Sequence, residues 1–238
     1  MEELQLDFAR LERIGLEEAV YGAGKSPAQL TAILEAASAR NARLLLTRLD
    51  AAKVDALPDG HRRALDYCPE SRTAFFGIPR VVGGPRVVAL VAAGTSDMPV
   101  VREAERTLRY HGRASTIIAD VGVAGLWRLT SRLEELRRHT VVIVVAGMDA
   151  ALPSVVGGLV SAVVLAVPTS VGYGVAQGGH AALHAALASC APGVAVMNID
   201  NGYGAACAAL RVLHAAQRLA DGPADGADRP GAKSAGSE

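Results

Sequence analysis

Two residues stand out for the chemistry they can do. They are Asp149 in AGMDAALPSVVGGL (146–159) and Cys190 in SCAPG (189–193). A carboxylate takes up and returns protons, and an ionised thiol is a strong nucleophile. Asp149 is the one formally charged side chain between Arg138 and Asp200, so no cation lies near it in sequence. Cys190 ends an expected helix, where the negative end of the helix dipole disfavours a thiolate. A nucleophilic Cys190 therefore needs positive charge from elsewhere; by residue type alone it reads as a small core residue, as Cys207 does in the last helix. His180 and His184 have the i, i+4 spacing of metal ligands, but without an HExxH acid or a third ligand they read as structural or surface residues.

Three further loops carry polar side chains. GTSD (Gly94, Thr95, Ser96, Asp97) joins hydroxyls to the free N–H groups of a helix start, which can hold a phosphate, although by itself Asp97 reads more readily as a helix cap than as a ligand residue. PTSVGYG (168–174) and NIDNGYG (198–204) each set two glycines around a tyrosine after an apolar run. Glycines allow a sharp turn or a close approach to a ligand. Asn198, Asp200 and Asn201 crowd more polar side chains at one strand end than a turn needs.

These loops must be held by a scaffold, and its pattern is regular from residue 86. VVALVAAG, STIIADVG, VVIVVAG, AVVLAVP and GVAVMNID are short β-rich runs without polar alternation, as expected of parallel strands buried on both faces. Residues 97–111, 124–138, 153–161, 178–190 and 203–220 read as helices. The fold class is α/β, a doubly wound, mainly parallel sheet of at least five strands, with a smaller, mostly helical N-terminal segment. Ligands of such sheets sit beyond the carboxyl ends of the strands, where the loops above lie. The expected domains are 1–85, 86–220 and a disordered Gly, Pro, Ala and charge-rich tail, 221–238. In the first segment residues 7–20 read as an amphipathic helix, YGAGK (21–25) as a glycine-hinged loop, Ser26-Pro27 as the start of a helix running to about Arg40, and 42–49 as a possible strand.

Composition limits the partners. Twenty-four basic and twenty-four acidic residues cancel, so no electrostatic footprint for nucleic acid is present. Three cysteines without CxxC spacing argue against a disulfide scaffold or zinc site and for a reducing cytoplasm. The N-terminus lacks the apolar stretch of a signal peptide. Pro153, Gly157, Gly158 and Pro168 punctuate the charge-free run 151–176, and no Lys or Arg anchors flank it, so burial rather than a membrane span is expected.

Taken together, DFARLERIGLEEAVYGAGKS, AAGTSD, AGMDAALPSVVGGL, VPTSVGYG, SCAPG and NIDNGYGA resemble the pyridinium biscarboxylic acid mononucleotide synthases, over roughly residues 6–215. These carboxylase/hydrolases begin synthesis of the nickel-pincer cofactor of lactate racemase. The sheet region is similar, more distantly, to the aminoimidazole ribonucleotide carboxylases, which share GSxSD and AGxAAHLPG loops. The proton-transferring histidine of that family falls at Ala151, and alanine moves no proton. The first resemblance implies nicotinic acid adenine dinucleotide and carbon dioxide or bicarbonate as substrates, with AMP and a dicarboxylated mononucleotide as products. It implies Cys190 as the nucleophile that adds to the pyridinium ring, and Asp149, where relatives carry Glu, as the base that takes the ring proton. It implies substrate contacts from Gly94, Thr95, Ser96, Asp97, Gly147, Met148, Pro153, Ser154, Gly172, Tyr173, Gly174, Asn198, Asp200, Asn201 and Gly202. A magnesium or similar divalent ion suits the hydrolytic step, its ligands are not specified, and no organic cofactor is implied. Lys25 and Arg72 are candidates to meet phosphates. Resemblance to the purine carboxylases implies a homo-octamer. The rival readings are a purine-type carboxylase and a non-catalytic nucleotide-binding or scaffold protein.

Overall fold

The computed structural model describes residues 5–222. Two sheets organise the chain. The first has four strands, β1 (Ala19–Tyr21), β2 (Leu44–Thr47), β3 (Leu65–Cys68) and β4 (Thr73–Phe76), in the order β1-β2-β4-β3. Strands β1 and β2 are parallel; β4 runs antiparallel to both β2 and β3. The segment also contains helices α1 (Arg10–Ile14), α2 (Pro27–Ser38), α3 (Ala51–Asp55) and α4 (Asp59–Arg63). The possible strand at 42–49 is β2, and three more strands join it.

Local chemistry explains these elements. Ser26 accepts the Gln29 N–H while the Gln29 side chain accepts the Ser26 N–H, a reciprocal cap, and Pro27 presets the first helical φ. The helix expected over 7–20 stops early because Gly15 turns left-handed (φ 74°) and its N–H closes on Leu11. In the sheet the period-two rule sorts side chains. Leu44, Leu46, Ala74 and Phe76 face α2 with Leu30, Ile33 and Leu34, whereas Leu45 and Phe75 face Tyr110.

The second sheet has five parallel strands, β5 (Gly83–Ala92), β6 (Arg113–Ile118), β7 (Val141–Ala146), β8 (Val163–Pro168) and β9 (Ala195–Val196), in the order β6-β5-β7-β8-β9. Helices α5 (Met98–Tyr110) and α10 (Gly202–Asp221) cover one face, packed on Val88, Leu90, Ile143 and Val145. On the other face α6 (Leu126–Thr130), α7 (Leu133–Leu136), α8 (Ala151–Gly157) and α9 (His180–Leu187) pack on Ala89, Val91, Val142 and Val144. The helix expected over 124–138 is two short helices, and the 193–200 strand is two residues long. The last helix includes Asp221; the tail expected to be disordered lies, from residue 223, outside the described residues.

The two sheets are linked through α5. Arg106, buried on α5, donates from Nε to Thr73 Oγ1 (2.8 Å) and from Nη2 to the Asp66 carbonyl (2.6 Å), and its guanidinium lies 4.0 Å from the Phe75 ring centroid. The smaller sheet is therefore a layer between α2 and α5. No helix among the described residues is long and apolar enough to cross a membrane.

Candidate active site

Strand order locates the crevice. From β5 the chain passes to β6 on one side and then to β7 on the other, so the loops leaving β5 and β7 diverge. In open α/β sheets ligands bind at such a switch point. Here it lies between the GTSD loop and the AGMD loop.

Asp97 ties these loops together. Its carboxylate accepts the Gly94 N–H (2.9 Å) and the hydroxyl of Thr169, just beyond β8 (2.7 Å). The side chain is buried, and burial pushes its pKa up, against the opposing pull of Thr169 and the Gly94 and Gly147 amides. Thr95 and Ser96 stay exposed at the loop's tip. Gly147 is obligatory: a Cβ there would stand 2.2 Å from the Val171 carbonyl oxygen and 2.7 Å from Thr169 Oγ1. Met148 and Ala150 then turn left-handed (φ 53° and 44°), and the Met148 N–H donates to the Val171 carbonyl (2.8 Å). Between them Asp149 points its carboxylate outward, exposed, with Oδ1 3.4 Å from the Ala151 amide.

Helix α8 continues from that loop and packs against the loop that carries Cys190. Pro153 is buried, and Ser154 Oγ lies 2.7 Å from Ser189 Oγ, next to Cys190. Cys190 is exposed, in the return loop between α9 and β9 rather than among the strand-end loops. Cys207 is partly buried on α10, and burial raises its thiol pKa. His180 and His184 are exposed on α9.

The glycine-tyrosine loops differ in build. After β8, a Cβ on Gly172 would lie 2.5 Å from the Ala176 carbonyl, Tyr173 is 78% exposed, and Gly174 (φ 57°) opens to solvent. After β9, Asn198 is exposed, and Asp200 (φ 55°) accepts the Ser170 N–H at 2.8 Å. Asn201 caps α10 through the Gly204 N–H (2.7 Å), and Gly202 is buried against the Val100 carbonyl.

Two residues that sequence reasoning did not single out shape this end of the site. Glu103 on α5 is buried and accepts the Tyr203 N–H (3.2 Å), filling the amino end of α10; burial raises its pKa against the pull of Arg48. Arg48, just past β2, donates to the Asp200 carbonyl and lies 3.9 Å from Glu103. The sequence signal for Arg48 is weak: one arginine after an apolar strand. Glu103 reads as an ordinary surface residue of an amphipathic helix.

The assembled strand end is thus rich in carboxylates (Asp97, Glu103, Asp200, and Asp149 on the rim), with Arg48 reaching it from the smaller sheet. Such a field favours a cationic over an anionic reacting group. Among the described residues no three His, Cys, Asp or Glu side chains converge to hold a metal. Two cavities, of about 660 and 720 Å³, open in the N-terminal segment, share Leu6 and Glu18, and are lined by none of the strand-end loops.

Known proteins match both parts of the chain. A LarB/PurE-like N-terminal domain matches residues 1–77 and an AIR carboxylase domain matches residues 87–222. The uncharacterized protein MJ0165 of Methanocaldococcus jannaschii is 36% identical over 213 residues, covering 86% of this chain and 81% of that protein. The crystal structure of Treponema denticola PurE2-S38D covers 58% of this chain and 96% of its own, at 17% identity and a TM-score of 0.42. With the N-terminal match in front of the carboxylase match, the chain belongs to the LarB family of carboxylase-related proteins.

Proposed function

We propose that the protein carboxylates the pyridinium ring of nicotinic acid adenine dinucleotide and hydrolyses its phosphoanhydride, giving AMP and pyridinium-3,5-biscarboxylic acid mononucleotide. The observation that carries this reading is the exposed Asp149 at the switch-point crevice, two residues before Ala151, where a purine carboxylase needs its proton-transferring histidine. A carboxylate rim attracts a cationic ring and then takes its proton.

The exposed thiol of Cys190, ionised, adds to the electron-poor ring and forms a C–S bond, leaving a dihydropyridine. The free meta carbon attacks carbon dioxide. Asp149 removes the proton from that carbon, the C–S electrons leave with sulfur, and aromaticity returns. The positive charge that Cys190 lacks from its own chain is supplied by the ring. Because Cys190 lies outside the strand-end loops, a second copy of the chain supplies one half of the constellation in a homo-oligomer, an octamer by resemblance. A magnesium ion would be held chiefly by substrate phosphate oxygens, as that ion commonly is; no step here is routed through it.

The test is a mass spectrum after incubation with nicotinic acid adenine dinucleotide, bicarbonate and magnesium. AMP together with the dicarboxylated mononucleotide is expected. Absence of both overturns the proposal.

A further inference from the structure

We propose that Arg48, with Arg72 opposite it, is the anion-binding edge of the strand-end crevice and takes the phosphoanhydride of a dinucleotide. This rests on the dinucleotide reading above.

The loops after β7, β8 and β9 carry no cation of their own, since residues 139–210 contain no Lys or Arg. Several of the sheet's backbone donors are also taken. The amino end of α10 is occupied by Glu103, and the Gly94 amide of the GTSD loop by Asp97. A phosphate entering this crevice faces carboxylates already seated where helix ends would otherwise hold it. On this side of the crevice a cation from another element would balance them.

Arg48 is that cation. Its Nη2 donates to the Asp200 carbonyl, across 152 residues of sequence. Its Nε stands 3.9 Å from Glu103, too far for a hydrogen bond. A guanidinium has five N–H donors, so this single hydrogen bond leaves donors over, and the side chain is 33% exposed. The Asp200 carbonyl fixes its direction in advance, which suits bidentate recognition of phosphate oxygens.

Arg72 is a second cation at the same end of the small sheet. Strands β2 and β4 pair Leu44 with Phe76, Leu45 with Phe75 and Leu46 with Ala74. Two more steps of that register set Arg48 opposite Arg72. The Leu49 N–H donates to the Arg72 carbonyl at 2.7 Å. Both arginines are left-handed (φ 52° and 53°), a conformation that non-glycine residues hold at a cost and that concentrates at functional sites. The turn carrying Arg72 lies against the start of α5, where Arg102 approaches Glu70 at 3.6 Å. The partner of Arg72 is Asp50, and both side chains are about half exposed, so a phosphate can displace that pairing.

The experiment is calorimetric titration of the full chain with inorganic pyrophosphate, followed by nicotinic acid adenine dinucleotide. Arg48→Gln is expected to weaken both by about tenfold or more, and Arg72→Gln by about threefold, while Arg48→Lys recovers part of the loss. Added salt is expected to weaken pyrophosphate binding less in Arg48→Gln than in the parent, because one charge contact is gone. A role confined to shaping the loop would leave that salt dependence unchanged and so overturns the inference. No pyrophosphate binding by the parent, or equal binding by the parent and both glutamine variants, overturns it too. Arg72→Gln sits on an exposed side chain and keeps the test decisive if Arg48→Gln unfolds. Pyrophosphate binding through Arg48 without product formation leaves the anion edge standing and removes the carboxylase reading. Product formation with binding indifferent to Arg48 does the reverse.

Discussion

The hydroxyl of Thr169 donates to the buried carboxylate of Asp97 at 2.7 Å, joining the loop after β8 to the loop after β5. The same carboxylate takes the Gly94 amide, so both its oxygens are acceptors with nothing to donate. Asp97→Asn keeps the shape but turns an N–H₂ toward one of those donors. A loss of roughly 1–3 kcal/mol is expected, the range for a buried polar group left unmatched, read from denaturant unfolding. An unchanged midpoint would mean that the carboxylate is not what joins the loops.

Gly147→Ala tests the packing beneath Asp149. The added Cβ meets the Val171 oxygen at 2.2 Å, which is backbone and cannot swing aside. The loop must shift, at an expected cost of about 1–3 kcal/mol for overpacking. Turnover should fall even where the protein remains folded, because Asp149 is carried on the displaced turn. Comparing melting temperature and product formation separates the two effects.

Cys190 and Asp149 are both exposed, so their substitutions should leave stability within about 0.5 kcal/mol. Cys190→Ser is expected to abolish carboxylation, and Asp149→Asn to slow it by about 10²–10⁴-fold, the usual contribution of a general base. A mass spectrum of the Asp149→Asn protein trapped with substrate should show an adduct on Cys190. Full activity of Asp149→Asn would remove its assignment as base.

His111 predicts an acid-side loss of stability. Burial at the end of α5, against the opposing pull of Glu17 and with help from Arg80, Arg43 and His214, lowers its pKa to about 4. The unfolded imidazole takes a proton near its ordinary value, so the unfolded chain binds more protons below that point. Stability present at neutral pH should be lost as pH falls from about 6.5 to about 4, by up to roughly 3 kcal/mol from this group. His111→Gln should flatten that stretch of the stability–pH curve. An equally steep curve would place the titration elsewhere.

What could be read in advance followed the physics of burial. Five Val-rich runs without polar alternation marked the parallel sheet, because strands covered on both faces have no reason to alternate. Strand-end loops were legible for the same reason. The small sheet was not: LDYC and TAFF are four residues each, too short for periodicity to separate them from turns. The break between α6 and α7 has no Gly or Pro to announce it. Arg48 and Glu103 were hidden because their importance comes from partners 152 and 100 residues away, at Asp200 and Tyr203 respectively. No local pattern encodes such a meeting.

The Arg48–Asp200 link also says something about when the crevice matures. Arg48 leaves the ribosome long before Asp200, since the two are 152 residues apart. At about 5–20 residues per second, that is a wait of roughly 8–30 s. The small sheet is complete by Phe76 and can settle early, whereas the loop after β9 has no guanidinium to rest on until both halves of the chain exist and have docked. The crevice is therefore among the last parts of the molecule to take shape, and a chain cut short before Asp200 would carry Arg48 with nothing to point it.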